Sequence, residues 1–314
     1  RGARAAMIGG CVGTSNVLAG QLFDVPVKGT HAHSWIMSFP DEYTAFKTYA
    51  NMYPSACILL VDTYDTLKSG VPNAIRVFTE MREAGIPLTF YGIRLDSGDL
   101  AYLSKKARKM LDEAGFPDAV ISASNDLDEY LIDSLKVQGC KITSWGVGTH
   151  LITSKDWPSF GGVYKLAAIQ DAQSGEFIPK IKLSENSEKI TNKKIYRIYE
   201  KDTGKIKADL ICLVDETYDE NEPLVLFDPN EPWKKTKLLP GTYELRELMV
   251  HVFDHGNCIY HSPKVMDIRD YCQKELETLW EETRRLVNPH GVYVDLSQKL
   301  YDMKISLLNQ MSQV

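Results

Sequence analysis

Phe90-Tyr91-Gly92-Ile93-Arg94-Leu95-Asp96-Ser97-Gly98-Asp99-Leu100 is the stretch on which the fold turns. An apolar run stops at an arginine, two carboxylates and a glycine, and a helical pattern begins at Leu100. Ionisable groups gathered at the C-terminal end of a buried strand are where α/β proteins place their chemistry. Arg94 and Asp96 are two apart, so an extended chain projects them to the same side, while Gly98 lets a phosphate or sugar approach the backbone. The stretch suits a polyanionic, hydroxyl-bearing ligand.

Outward from it the same order recurs across residues 25–150: a short apolar strand, a polar cluster, then an amphipathic helix. Val25-Pro26-Val27 leads to Gly29-Thr30-His31-Ala32-His33-Ser34, and residues 57–61 lead to Asp62-Thr63-Tyr64-Asp65. Strands expected over 88–93, 119–121 and 142–145 lead to the opening motif, to Ser122-Ala123-Ser124-Asn125 and to Gly146-Val147-Gly148-Thr149. Leu100, Leu103, Ala107, Met110, Leu111 and Ala114 fall at helical spacing, as do Leu127, Leu131 and Leu135. Gly85, Gly115 and Gly139 stand where helix C-caps belong. Parallel strands joined by such helices can close into a barrel whose loops share one mouth.

Beyond about residue 160 the pattern turns β-rich. Strands are expected over 164–169, 194–199 and 209–214, with turns at Ser174-Gly175 and Asp202-Thr203-Gly204 that predict antiparallel hairpins. Residues 265–287 read as one amphipathic helix with a packing stripe of Ile268, Cys272, Leu276, Leu279 and Leu286. The fold class is α/β, with a β/α core over 1–160 and the remaining barrel elements, the β-rich region and the C-terminal helix over 161–314.

At 314 residues, 44% hydrophobic and 25% charged, the chain can bury a sizeable core. A net charge of -6 argues against nucleic acid as a partner, and no run reaches membrane-spanning length. Six scattered cysteines without a C-x-x-C pair point to reduced thiols and a cytoplasmic setting rather than a zinc site. The chain opens Arg1-Gly2-Ala3-Arg4 without an initiator methionine, so further sequence is expected upstream.

Read alone, the motifs leave alternatives open. His31 and His33, with Ala32 between them facing away, are both expected at the mouth, as a general base, metal ligands or a phosphoryl-carrying nucleophile. A metal-dependent barrel hydrolase would use His31 and His33 as ligands, with His150 the one further candidate. Asp62 suits ribose hydroxyls or a magnesium ion, and Asp65 suits the cap of the next helix. Gly146 to Thr149 offers either a phosphate cradle or a plain turn.

Taken together, the motifs resemble the nicotinate phosphoribosyltransferases, members of the type II phosphoribosyltransferases. The carriers are Gly9-Gly10 with Thr14 to Gly20, Gly29 to Ser34, Leu60 to Thr66, Ile93 to Asp99, Gly146 to Thr149 and Gly161 to Leu166. The likeness extends through Val294-Asp295-Leu296-Ser297, and it implies an irregular β/α barrel with an additional β-rich region and C-terminal helix. It further implies transfer of a phosphoribosyl group from 5-phosphoribosyl 1-pyrophosphate to nicotinate, with ATP as co-substrate, Mg2+ as cofactor and a homodimer as the assembly.

By motif matching, His33 resembles the histidine that ATP phosphorylates, Arg94 and Asp96 the holders of ribose and phosphate, and Asp62 a ribose or magnesium ligand. Gly148 and Thr149 resemble the 5-phosphate site, and Thr30, Ser34, Ser97, Gly98, Asp99 and Asn125 complete the expected substrate-binding set. The family's Phe-Gly-x-Arg-Arg segment, which resembles a clamp for the nicotinate carboxylate, is expected upstream of residue 1. Near Ile190-Thr191-Asn192-Lys193 the family's Pro-Gly turn is missing. A nicotinamide-specific relative is the nearest alternative.

Overall fold

Four strands carry the amino-terminal half: β1 (Cys57–Leu60), β2 (Tyr91–Leu95), β3 (Val120–Ala123) and β4 (Ser144–Trp145), all parallel and adjacent in chain order. In the computed structural model residues 1–162, 164–184, 187–190, 192–231 and 233–311 are described, and the chain divides into the units Arg1–Phe160 and Gly161–Val314. Every residue of β1 is buried, as expected of an unbroken apolar run covered on both faces.

The crossovers are α5 (Val71–Glu83), α6 (Leu100–Glu113) and α7 (Glu129–Val137); α1 (Gly2–Ile8), α2 (Val17–Phe23), α3 (His33–Met37) and α4 (Glu42–Met52) precede the sheet and α8 (Thr149–Ile152) follows it. Aspartates start four of these turns. Asp41, Asp65, Asp99 and Asp128 each accept a hydrogen bond from a backbone N-H two or three residues on, at 2.7 to 3.2 Å. Three end alike: Gly85, Gly115 and Gly139 have positive φ, and the next amide donates to the carbonyl five residues back, Ile86 to Met81, Phe116 to Leu111 and Cys140 to Leu135. The buried faces of α5 and α6 close on Phe78, Tyr91 and Phe116, whose rings meet edge-on 5.1 to 6.0 Å apart.

Several expectations are corrected. Val25 to Val27 forms no strand: Pro26 has no N-H to give a ladder, and the segment makes one bridge, Thr14 with Val27. The strand expected over 88–93 runs from Tyr91 to Leu95, so Arg94 lies inside it, opposite Leu60 and Ser122. Ile142 and Thr143 stay outside β4, and β3 begins one residue late but extends to Ala123. In α7 Leu131 is exposed, and Ile132 packs on the core in its place.

The second unit holds the sheet β13-β9-β10-β16, built from β9 (Lys193–Glu200), β10 (Ile206–Leu213), β13 (Tyr243–Glu247) and β16 (Tyr293–Leu296); β16 lies parallel to β10 and the other pairings are antiparallel. The hairpins β5 (Ala168–Gln170) with β6 (Phe177–Pro179), β7 (Ile181–Ser184) with β8 (Ser187–Ile190), β11 (Leu224–Phe227) with β12 (Lys235–Leu238), and β14 (Phe253–Asp254) with β15 (Asn257–Cys258) accompany it. Burial alternates along β10, whose inward Ala208 and Leu210 join Ile198, Leu224, Leu226, Leu238 and Tyr243 in one cluster.

The strand expected over 164–169 is confined to Ala168–Gln170; Val163 of the Gly161 motif and Thr191 of the missing turn lie outside the described residues. The long terminal helix is broken: α9 (Val265–Glu277) stops where Lys205 Nζ takes the Glu277 and Leu279 carbonyls at 2.6 and 3.3 Å and Trp280 Nε1 bonds to the Ile206 carbonyl at 2.8 Å. Its expected stripe is accordingly incomplete, with Leu276 and Leu286 exposed. A further helix, α10 (Gln298–Met311), follows β16.

One glycine locks the end of β1 to the turn that leads into α5. Residues Thr66–Gly70 form this single wide turn, and a Cβ on Gly70 would stand 1.8 Å from the Val61 carbonyl oxygen. Gly70→Ala must therefore push the turn off the strand, and overpacking of this kind costs about 2 kcal/mol or more. Urea unfolding should show a lower midpoint at unchanged slope; an unaltered midpoint would refute this packing.

Candidate active site

At the C-terminal end of the parallel sheet the Arg94 guanidinium gathers three segments. Nε donates to Ser124 Oγ just past β3 at 2.8 Å, Nη1 to Thr30 Oγ1 at 2.8 Å and the His31 carbonyl at 3.2 Å, and Nη2 to Asp96 Oδ1 at 3.0 Å. Ser124 also donates to Asp96 Oδ1. Burial alone would raise the Asp96 pKa, but the bonds from Ser124 and Arg94, together with the Arg94 charge, outweigh it and hold the carboxyl below its usual range.

Asp62 stands beside this cluster with its side chain 2% exposed. Its Oδ2 accepts from the Asp96 amide and from Ser97 Oγ, both at 2.7 Å, so the carboxylate fixes the turn that carries Asp96. Its Oδ1 is buried without a hydrogen-bond partner. The nearest cationic candidate is His33 Nε2, 4.0 Å from Asp62 Oδ1 and 3.5 Å from Asp96 Oδ2. The other imidazole nitrogen, Nδ1, lies 3.0 Å from Thr63 Oγ1. His33 thus has one nitrogen anchored and the other facing two carboxylates.

His31 does not share that mouth. The expected alternation fails because His33 is already the first residue of α3, and His31 is buried at 8% exposure against Tyr49, edge-on with centroids 4.5 Å apart. Its Nε2 accepts the Leu60 amide at 3.3 Å, which removes it as a metal ligand alongside His33. Burial pushes its pKa down to about 4, with the charges of Arg94 and His33 acting the same way. His150 is engaged elsewhere, between Asp128 at 3.3 Å and Lys155 at 3.2 Å.

The remaining expected residues divide. Thr30 and Ser97 join the cluster directly. Asp99 caps α6, after Gly98 turns the chain with φ +76°. Ser34 is exposed on α3, and Asn125 is exposed with φ +88° one residue past Ser124. The Gly146 loop leans on the same strand end through its amide to the Ala123 carbonyl at 2.7 Å, leaving Gly148 and Thr149 exposed at the start of α8.

Sequence reasoning passed over Thr63 and Ser124. Only the strand register brings Ser124 in: Leu95 pairs with Ala123, so one step further along the ladder Ser124 stands beside Asp96.

Comparison with known proteins decides the family. The family model described as the nicotinate phosphoribosyltransferase (NAPRTase) family matches residues 3–203, and that of the nicotinate phosphoribosyltransferase C-terminal domain matches 192–304. The chain belongs to the nicotinate phosphoribosyltransferase family. It is 49% identical to the nicotinate phosphoribosyltransferase of Bacillus subtilis, over 98% of this chain and 62% of that protein, and 34% identical to the one of Dictyostelium discoideum, over 95% and 58%. The crystal structure of human nicotinic acid phosphoribosyltransferase superposes with a TM-score of 0.73 at 26% identity, over 98% of this chain and 66% of that one. The chain therefore spans about three fifths of the curated relatives it matches.

In this family member the buried His31 makes acid stability testable. Its folded pKa of about 4 lies below its ordinary 6.5, so the unfolded chain binds the extra proton between those values. Its contribution, about 3 kcal/mol by linkage, is complete above pH 6.5 and is lost as pH falls toward 4. Urea titrations across this window should show that decline, and His31→Leu should flatten it. An equally steep decline in the variant would place the acid-sensitive group elsewhere.

Proposed function

We propose that this chain supplies the phosphoribosyl-donor half of a nicotinate phosphoribosyltransferase in NAD salvage. The nicotinate ring nitrogen attacks C1 of 5-phosphoribosyl 1-pyrophosphate, the C1–O bond to pyrophosphate breaks, and nicotinate mononucleotide and pyrophosphate are released. The observation that carries this reading is the joined set of His33, Asp62, Asp96 and Arg94 at the strand ends of a chain of this family.

A loose transition state places positive charge on the ribose and negative charge on the leaving pyrophosphate, so fixed charges matter more than a strong base. Asp62 and Asp96 face the sugar, and the Arg94 charge serves the phosphates, with Thr30, Ser34, Ser97, Gly98, Asp99 and Asn125 at the border of the donor. Gly148 and Thr149 would take the 5-phosphate through exposed backbone and hydroxyl groups.

ATP enters at His33. Donation of the Nδ1 proton to Thr63 leaves the lone pair on Nε2, which attacks the γ-phosphorus as ADP departs; hydrolysis later returns free imidazole and phosphate. Among the described residues no group of three His, Cys, Asp or Glu could hold a metal by itself, yet the orphaned Asp62 Oδ1 is a suitable oxygen ligand. Asp62 would help hold a magnesium ion, which would supply charge neutralisation for phosphates. A homodimer is the assembly proposed by family likeness. The six free cysteines suit the cytoplasm.

Full-length protein incubated with γ-labelled ATP should acquire acid-labile label at His33, and His33→Ala should lose both label and ATP coupling. Full coupling in that variant would remove the role. Arg94→Ala should raise the KM for 5-phosphoribosyl 1-pyrophosphate more than tenfold, while competition between nicotinate and nicotinamide should favour the acid; preference for the amide would assign the nicotinamide-specific activity instead.

A further inference from the structure

We propose that His31 is a positioning residue of the donor subsite: its neutral imidazole holds the edge of β1 and thereby fixes the Thr30–His31 segment that grips Arg94. The inference rests on the donor-binding reading above and concerns a histidine that takes no part in the chemistry.

Two of the contacts of Arg94 go to groups that the sheet itself secures, Ser124 just past β3 and Asp96 just past β2. The other two go through Nη1 to Thr30 and to the His31 carbonyl, in a segment without regular structure. From Pro26 to Ala32 every residue except His31 is exposed. Backbone bonds with Thr14 secure its beginning at Pro26 and Lys28, so from Gly29 to Ala32, apart from Arg94 itself, the segment is held in place chiefly by one side chain. That side chain is seated between Tyr49, at 4.5 Å centroid to centroid, and Phe46, at 6.3 Å, and its Nε2 accepts the Leu60 amide at 3.3 Å.

The Leu60 bond explains why the anchor is a histidine. Among the described residues β1 pairs only with β2, so one side of β1 is a sheet edge whose buried amides need acceptors. An apolar side chain would fill the space beside Tyr49 and leave the Leu60 N-H unpaired. Neutral imidazole fills the space and accepts the bond, with the proton on Nδ1, which is buried without a hydrogen-bond partner, so histidine completes the strand edge at the cost of one unpaired N-H of its own. The carbonyl of the same residue then meets Arg94, so one residue couples the sheet edge to the guanidinium.

Three full-length variants test this: His31→Leu, which packs without accepting; His31→Gln, whose amide oxygen reaches about as far as Nε2; and His31→Asn, polar but too short. His31→Leu and His31→Asn should raise the KM for 5-phosphoribosyl 1-pyrophosphate about tenfold, with kcat and the KM for nicotinate within about twofold, and His31→Gln should return it to within about threefold of wild type. Hydrogen exchange at the Leu60 amide should accelerate at least tenfold in His31→Leu and His31→Asn and not in His31→Gln.

Equal exchange in all four proteins would remove the Leu60 bond and overturn the proposal. Faster exchange with an unchanged donor KM would overturn the positioning role, as would a matching rise in the KM for nicotinate. A wild-type protein that makes no nicotinate mononucleotide would overturn the proposed function instead, and binding of 5-phosphoribosyl pyrophosphate by calorimetry, with Leu60 exchange, would then decide the place of His31.

Discussion

A planar cation at the end of β2 ties the site together. Arg94 reaches the loop before α3, the residue after β3 and the turn after its own strand, and a guanidinium can do this because its donors diverge in one rigid plane. A lysine would offer one point of charge at the end of a flexible stem. The cost of partly burying the cation is offset by Asp96, whose carboxyl is kept ionised by the same arginine and by Ser124. Position and charge state are thus set by one set of bonds.

Asp62 extends that constraint to the neighbouring strand. By accepting the Asp96 amide and the Ser97 hydroxyl, it makes the turn after β2 depend on the end of β1, and Gly70 brings the turn before α5 hard against Val61. The carboxylate spends one oxygen on structure and keeps the other buried and unpaired beside His33. An unpaired buried oxygen is costly to maintain, and such groups concentrate where a ligand or ion completes them.

Local chemistry decides the features that were legible in the sequence. The apolar run of β1, the Asp65 cap and the glycines after α5, α6 and α7 each rest on neighbours within a few residues, and they lie where their patterns place them. The misreadings trace to distant partners. His31 and His33 looked equivalent because the pattern assumed an extended chain, whereas α3 begins at His33 and turns the two rings to different surroundings. Likewise α9 ends at Glu277, where Lys205, just before β10, donates to the Glu277 carbonyl and Trp280 donates to that of Ile206, contacts that no helical spacing records. Ser124 was hidden because its importance comes from lateral register with Asp96 rather than from its own flanks.

The geometry also limits what Arg94 can do for a ligand. A guanidinium has five N-H groups, and the four bonds inside the protein draw on all three of its nitrogens. A bidentate grip on a phosphate would therefore compete with bonds that organise the site. The charges of Arg94, Asp62 and Asp96 sum to minus one, unfavourable for a polyanionic ligand. A polyanionic ligand at this cluster would need added positive charge from a cation or backbone amides, while Arg94 contributes orientation and field. The cluster is less a clamp than a frame that holds two carboxylates in fixed places.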